Sequence, residues 1–336
     1  MTRYLYTSVT RISDLQQKAF ETEALNRERW QTGDFVLGKV LDTSGLHNIE
    51  LPNGRMMEAM EGDLVIGALG ARAATLEAVG DWQAIDNGTF EALTPAGLMG
   101  RVTSRSPFLT PLMPLVYLGH LQRGGEKLTM SGVVKLYPER ELRAPIVMIT
   151  GTSMSSGKTM SGRLIVRLLK QQGLKVIGAK FTGAARYRDV LSYADAGADA
   201  IFDFVDMGLP STVCDPDEFG AALENLLNRI AALSPDVVVA EAGASPLEPY
   251  NGKTALDLLN HKVCFRLLCA SDPYSVVGVS SAFNHKPDLV AGGAANTSAG
   301  IELVGKLSGL PALNLLDRAS QERLLPLLMQ SLNREA

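Results

Sequence analysis

Cysteine is scarce in this chain: three in 336 residues, Cys214, Cys264 and Cys269, with no CxxC pair among them. The four histidines are scattered and supply no second half of a zinc array, so a disulfide scaffold and a structural zinc site are both excluded. Buried thiols are the expected role of all three. Long apolar runs are also lacking. No stretch approaches the roughly 20 apolar residues that span a bilayer, which leaves no membrane partner to expect. The opening MTRYLYTSVTRISDLQQ has no uninterrupted apolar core of the secretory kind, giving the expectation of a cytoplasmic protein. Excess positive charge is absent too: the net charge is −4, so there is no broad basic field for nucleic acid or anionic lipid. Any phosphate bound here must be held by local geometry.

What is present is an ordinary globular composition, 46% hydrophobic and 20% charged, in a chain long enough for about two domains. The first stretch reads as a helix followed by β-rich sequence. Ser13 is placed to cap SDLQQKAFETEALNRERW, after which FVLGKVL, NIEL and DLVIGAL read as short strands between Gly, Asn and Pro turns. A small barrel or sandwich fits residues 1–138. Three prolines and a Gly pair in SRSPFLTPLMPLVYLGHLQRGGEKL point to irregular structure and then a linker.

From residue 144 to 336 strands and helices alternate, the pattern of a parallel sheet flanked by helices. IVMIT, LKVIGAK, VVVAEA, VCFRLLCA, DLVAGG and PALNLL are the strand candidates. The helix after IVMIT shows Met160, Leu164, Ile165, Leu168 and Leu169 on one face, with Gly173 where a C-terminal cap belongs. Asp215, Pro216, Asp217 and Glu218 form a strong helix start, because an Asp cap, Pro at the first position and early acids all suit exposed amides and the helix dipole. The closing RASQERLLPLLMQSLNREA reads as a helix that Pro326 can kink.

The string that carries chemistry is ITGTSMSSGKTMSG, in which GKT stands between a strand and a helix. There, backbone amides and the positive helix end can surround a polyphosphate. In this reading Gly151, Thr152, Ser153, Met154, Ser155, Ser156 and Gly157 form the cradle. Lys158 reaches the β- and γ-phosphates of ATP, and the Thr159 hydroxyl helps hold Mg2+. Five residues separate Gly151 from Gly157, one more than in the common GxxxxGK[ST] signature. Downstream, Glu241 ends the apolar VVVAEA, where such domains place a carboxylate on the magnesium side.

The longer loop, GTSMSSGKT, resembles that of dethiobiotin synthetase and its relatives, GTxxxxGKT. The resemblance covers about residues 145–316 and is carried by three segments. It implies a P-loop NTPase-type α/β fold with a catalytic lysine ending the second strand, matched by Lys180 in GLKVIGAKFTG. An aspartate soon after helps hold magnesium, matched by Asp189 or, failing that, Asp195; and Glu241 in VVVAEAGASP takes the place of the acidic ligand in VEGAGG. The family's Lys-Pro is replaced here by Lys180-Phe181. A homodimer is implied by the same resemblance. So is an ATP-dependent ligase that phosphorylates a carboxylate or carbamate for attack by an amine, with Lys158 and Lys180 as catalytic residues. The two-part architecture also resembles proteins, some acyl-transferring, that join another N-terminal domain to a P-loop domain of this kind. Two alternatives stay open: an acyltransferase cradling the phosphates of coenzyme A or a nucleotide, and a nucleotide-dependent switch or chaperone. Arg186 and Arg188 could clamp a substrate anion or be a solvated loop. Asn296 could meet a base or be a turn residue.

Overall fold

The computed structural model describes residues 3–243, 245–282 and 286–333; Ala244 in the AGAS turn and residues 334–336 of the expected closing helix lie outside it. The chain divides into two compact units. The first comprises Met1–Leu136 together with Ala184–Arg188 and Phe204–Asp215, and the second comprises the rest.

In the first unit the strands Leu64–Leu69, Phe35–Val40, Pro114–Arg123, Thr89–Ala92 and Leu98–Arg105 pair in that order, and the last returns to pair the first, closing a small barrel. Closure removes the exposed edges that an open sheet of this size would present. Inward residues Val36, Val65, Phe90, Met99 and Leu115 fill it. The expected initial helix is absent. Residues 13–30 instead carry a strand, Glu21–Glu23, paired with His120–Gln122, and a 3-10 turn at Arg27–Arg29, while the Ser13 hydroxyl donates to the Thr10 carbonyl. Tertiary pairing has overridden local helical periodicity. The proline-rich stretch is not a linker either. It contains the barrel strand Pro114–Arg123, which turns through Gly124 and Gly125, both at positive φ, into a hairpin with Glu126–Lys127.

A buried polar cluster fixes the segment before the first barrel strand. Asp34 Oδ2 accepts the Gln31 amide at 2.8 Å, Lys127 Nζ at 2.8 Å and His120 Nε2 at 3.1 Å. Tyr117 Oη accepts the Leu25 amide at 3.2 Å and is hydrogen-bonded to His120 Nδ1 at 2.5 Å. Trp30 packs on both rings.

In the second unit six parallel strands are joined by helices: β1 (Ile146–Gly151), α1 (Lys158–Gln171), β2 (Val176–Thr182), α2 (Tyr187–Asp195), β3 (Ala200–Asp203), α3 (Pro216–Ala231), β4 (Val237–Ala242), α4 (Gly252–Leu259), β5 (Val263–Cys269), α5 (Pro273–Ala282), β6 (Leu289–Ala291), α6 (Ser298–Ser308) and α7 (Arg318–Leu332). The sheet order is β3-β2-β4-β1-β5-β6. This is an α/β fold with a parallel sheet flanked by helices. Alternation along β5 shows both faces covered: Leu267 and Cys269 join a core with Ile165 and Leu169 of α1 and Leu324 and Leu328 of α7, whereas Leu268 and Ala270 join Val276 of α5 and Val304 of α6.

The strong helix start at Pro216 and the closing helix with Pro326 inside it are both present. PALNLL forms only a single bridge, Ala312 to Val290. The buried face of α1 is Ser161, Gly162, Ile165, Val166 and Leu169, with Met160 turned out, 53% exposed. Of the cysteines only Cys269 is fully buried. Among the described residues no helix is long and apolar enough to cross a membrane.

The Asp34 cluster yields a test of what holds the first unit together. Removing one partner of a buried charged set leaves the others unpaired, so Asp34→Ala should lower stability by about 3–5 kcal/mol in urea denaturation. A loss under about 1 kcal/mol would show that Lys127 and His120 find other partners.

Candidate functional site

The chain leaves β1 toward β2 on one side of the sheet, and leaves β4 toward β5 on the other. Such a reversal opens a crevice at the carboxyl ends of the central strands. Gly151 ends β1 and Glu241 is the penultimate residue of β4, with Ile149 as its register partner. The loop from Gly151 to Gly157 therefore curls over that crevice and runs into the N-terminus of α1.

The loop is held from several sides. The Thr152 amide donates to the Cys269 carbonyl at 3.1 Å, and Thr152 Oγ1 accepts the Ser271 amide at 3.1 Å. Lys158 Nζ folds back into the curl, 2.8 Å from the Ser153 carbonyl and 3.5 Å from Ser156 Oγ. The curl is tight at its base: a Cβ on Gly151 would lie 2.5 Å from Ser156 Oγ and 2.7 Å from Lys158 Nζ, so both side chains would have to turn away. Gly157 caps α1 at φ 101, and Ser155 takes φ 59, an uncommon value for a residue with a side chain. Positive-φ residues in such a loop turn successive amides inward, the geometry that binds anions.

Around the loop the charged groups are arranged in pairs. Thr159 Oγ1 donates to Glu241 Oε2 at 2.9 Å, and Tyr193 Oη donates to the same oxygen at 3.3 Å. Lys180, register partner of Glu241 on β2, donates to Asp189 Oδ2 at 2.5 Å. Lys158, Lys180 and Glu241 are all buried. Burial pulls the Lys158 pKa below the ordinary lysine value, and Glu241 offsets only part of this. Lys180 goes the other way: burial would lower it, but Asp189 and Glu241 together outweigh that and raise it. Burial, with Glu241 and Asp189 adding to it, raises the Tyr193 phenol well above its usual value, so it stays a donor. Burial also pushes the Cys269 thiol up to about 12.

Of the residues picked out in the sequence, Gly151–Thr159, Lys180, Asp189 and Glu241 come together at one end of the sheet. Asp195 is exposed at the far end of α2 and is not part of the group. Arg186 and Arg188 are exposed; the Tyr187 and Arg188 amides donate to Glu50, each at 2.8 Å. Asn296 is exposed and its carbonyl accepts from Asn314. Sequence reading missed Tyr193, whose contact with Glu241 spans 48 residues. It also missed Gly292, where a Cβ would stand 2.2 Å from the Ser156 carbonyl. Neither has a local signal.

No protein-family model matches the chain, and no curated protein matches it. Solved structures of partial likeness include chloroplast FtsY from Physcomitrella patens, with a TM-score of 0.38 and 16% identity over 57% of this chain and 68% of that one. HypB from Helicobacter pylori, in complex with nickel, gives 0.38 and 15% over 57% and 88%; HypB from Archaeoglobus fulgidus gives 0.37 and 16% over 56% and 91%. Values at this level carry no inference about ligand or reaction.

Two outcomes test the electrostatics. A lysine whose folded pKa lies below its unfolded value opposes folding at all pH values below the folded one, and the penalty fades as pH rises to the unfolded value. Lys158→Met should therefore melt no lower than wild type near neutral pH, and any gain should shrink as pH climbs toward 10. A mutant markedly less stable at pH 7 would contradict the assignment. Second, iodoacetamide at pH 8 should modify Cys269 in the folded protein at least tenfold more slowly than Cys214 or Cys264, read by mass spectrometry. Equal rates would show that the thiol is reachable and ionisable.

Proposed function

We propose that the second unit binds a nucleoside triphosphate with magnesium and catalyses an ATP-dependent, ligase-type reaction. In it the γ-phosphoryl group activates a carboxylate or carbamate, and an amine then displaces phosphate, as in dethiobiotin synthetase. The loop suits a polyphosphate: a helix N-terminus and a lysine folded into the curl bring positive charge to one place. The metal-side donors fit magnesium as well. Among the described residues no group of three or more His, Cys, Asp or Glu could hold a metal alone. What stands there is a hydroxyl, Thr159, hydrogen-bonded to one carboxylate, Glu241. Few protein oxygens, completed by phosphate and water, is the manner in which magnesium is usually held. When bound, the ion would neutralise phosphate charge and polarise the group transferred.

The observation that carries the reading is Lys180. A second buried lysine beside Lys158 is kept cationic by Asp189 and Glu241, so a fixed ammonium group is available to an anion that enters the crevice. Two ammonium groups on one crevice would stabilise charge growing on a transferred phosphoryl group, the largest single contribution available at such a site. Asp189 orients Lys180 through its hydrogen bond.

A nucleotide-dependent switch is the second reading, favoured by one feature of the chain. The residues between Lys180 and Asp189 include Ala184–Arg188, which belong to the β-rich unit, so the chain that links this buried pair is part of that unit.

Incubation with ATP or GTP, magnesium and pooled metabolites should consume one carboxylate or amine in step with release of phosphate, with ATP preferred. Lys180→Met should keep nucleotide affinity within a few-fold and lower turnover by about a hundredfold or more. Wild-type turnover in Lys180→Met would refute the synthetase chemistry. Slow hydrolysis with no small-molecule acceptor, or a preference for GTP, would transfer support to the switch.

A further inference from the structure

Tyr193 is the largest polar side chain sealed beside the candidate site, and its placement has been given room by two glycines. It lies on α2 one turn beyond Asp189, so both residues project from the same face of that helix. It is 1% exposed. A Cβ on Gly162 of α1 would stand 2.2 Å from Tyr193 Oη, and one on Gly178 of β2 would stand 2.7 Å from its Cβ and ring. The ring is thus wedged between helix and sheet, with its hydroxyl directed at Glu241 Oε2, the oxygen that also accepts from Thr159.

A phenylalanine would fill the same wedge as well as a tyrosine, so packing alone does not account for the hydroxyl. What the hydroxyl supplies is a fixed second donor to the one carboxylate on the metal side. A carboxylate held by Thr159 alone would follow that side chain wherever its hydroxyl turns. With Tyr193 it stays in place, because the phenol is anchored on a different element. The face of α2 then fixes both charged partners of the crevice: Asp189 sets Lys180, and Tyr193 sets Glu241.

We propose that Tyr193 is a positioning residue that holds the Glu241 carboxylate in the orientation needed for a divalent cation, and so sets the cation requirement of nucleotide binding. This rests on the reading of the crevice as a nucleotide and magnesium site. Through Tyr193, α2 contributes to cation affinity by way of the Glu241 carboxylate.

The test is a titration of Mn2+ or Mg2+ into full-length protein with a non-hydrolysable ATP analogue, following nucleotide affinity by calorimetry, for wild type and Tyr193→Phe. The variant should leave affinity without cation unchanged and raise the cation concentration needed for half-maximal enhancement about tenfold, the scale of one lost hydrogen bond to a charged group. Gly162→Ala keeps the hydroxyl but pushes it off Glu241 and should shift the titration the same way; it serves if Tyr193→Phe does not fold. In a Glu241→Gln background Tyr193→Phe should add no further shift, an outcome that a merely structural role would not produce. Titrations of Tyr193→Phe and wild type that superimpose, while wild type still shows cation-strengthened binding, overturn the role of Tyr193 alone. Wild type that binds the nucleotide with no response to cation overturns the magnesium-site reading, and this proposal with it.

Discussion

A carboxylate at the end of a buried parallel strand is the constraint around which the second unit is arranged. Glu241 closes a run of valines and alanine on β4, with neighbouring strands on both sides, and is 4% exposed. An ionised acid there is tolerated only if donors reach it. Thr159 arrives from the start of α1, Tyr193 from α2, and Lys180 from the neighbouring strand brings opposite charge. Each of these has requirements of its own. Thr159 must follow the loop that Gly151 and Gly157 permit, Tyr193 needs the space left by Gly162 and Gly178, and Lys180 needs Asp189. The crevice is therefore a coupled set in which removing Lys180 or Asp189 leaves the other's charge without its partner.

The first unit solves a similar problem with different parts. Asp34 lies wholly inside, and amide, ammonium and imidazole donors converge on a single oxygen of it. There the donors join a peripheral segment to a barrel strand, a structural role. Glu50 acts in the same way inside that unit, accepting the amides of Tyr187 and Arg188, which open α2 but belong to the first unit, and the Ser8 hydroxyl at 2.5 Å. A carboxylate at a helix start satisfies orphan amides and meets the positive end of the dipole.

Legibility in the sequence followed the range of the interactions. The strand-to-helix turn at GKT, the helix start at Asp215–Glu218 and the valine run of β4 are written in contiguous residues, because amide geometry, capping and burial of both strand faces act over a few positions. The stretch SDLQQKAFETEALNRERW failed for the opposite reason: its charged and apolar alternation suits a helix locally, but Glu21–Glu23 lies along the barrel strand at His120–Gln122, a partner about a hundred residues away. The α1 face was misjudged at Met160, whereas Ile165 and Leu169 lie in the core and Leu164 and Leu168 pack against it. Its packing surface uses Ser161 and Gly162 in place of the larger Met160, since closeness to Tyr193 matters more there than apolar area.

By itself the sequence determined the α/β class of the second unit, the loop from Gly151 to Thr159 and the acid at the end of β4, since each depends on backbone geometry and burial that neighbouring residues dictate. Only the tertiary structure decided that Lys158 folds into its own loop, that Asp189 and not Asp195 meets Lys180, and that a tyrosine holds Glu241. Those outcomes depend on which strands lie side by side and on how closely helices approach the sheet, and a linear pattern carries neither distance.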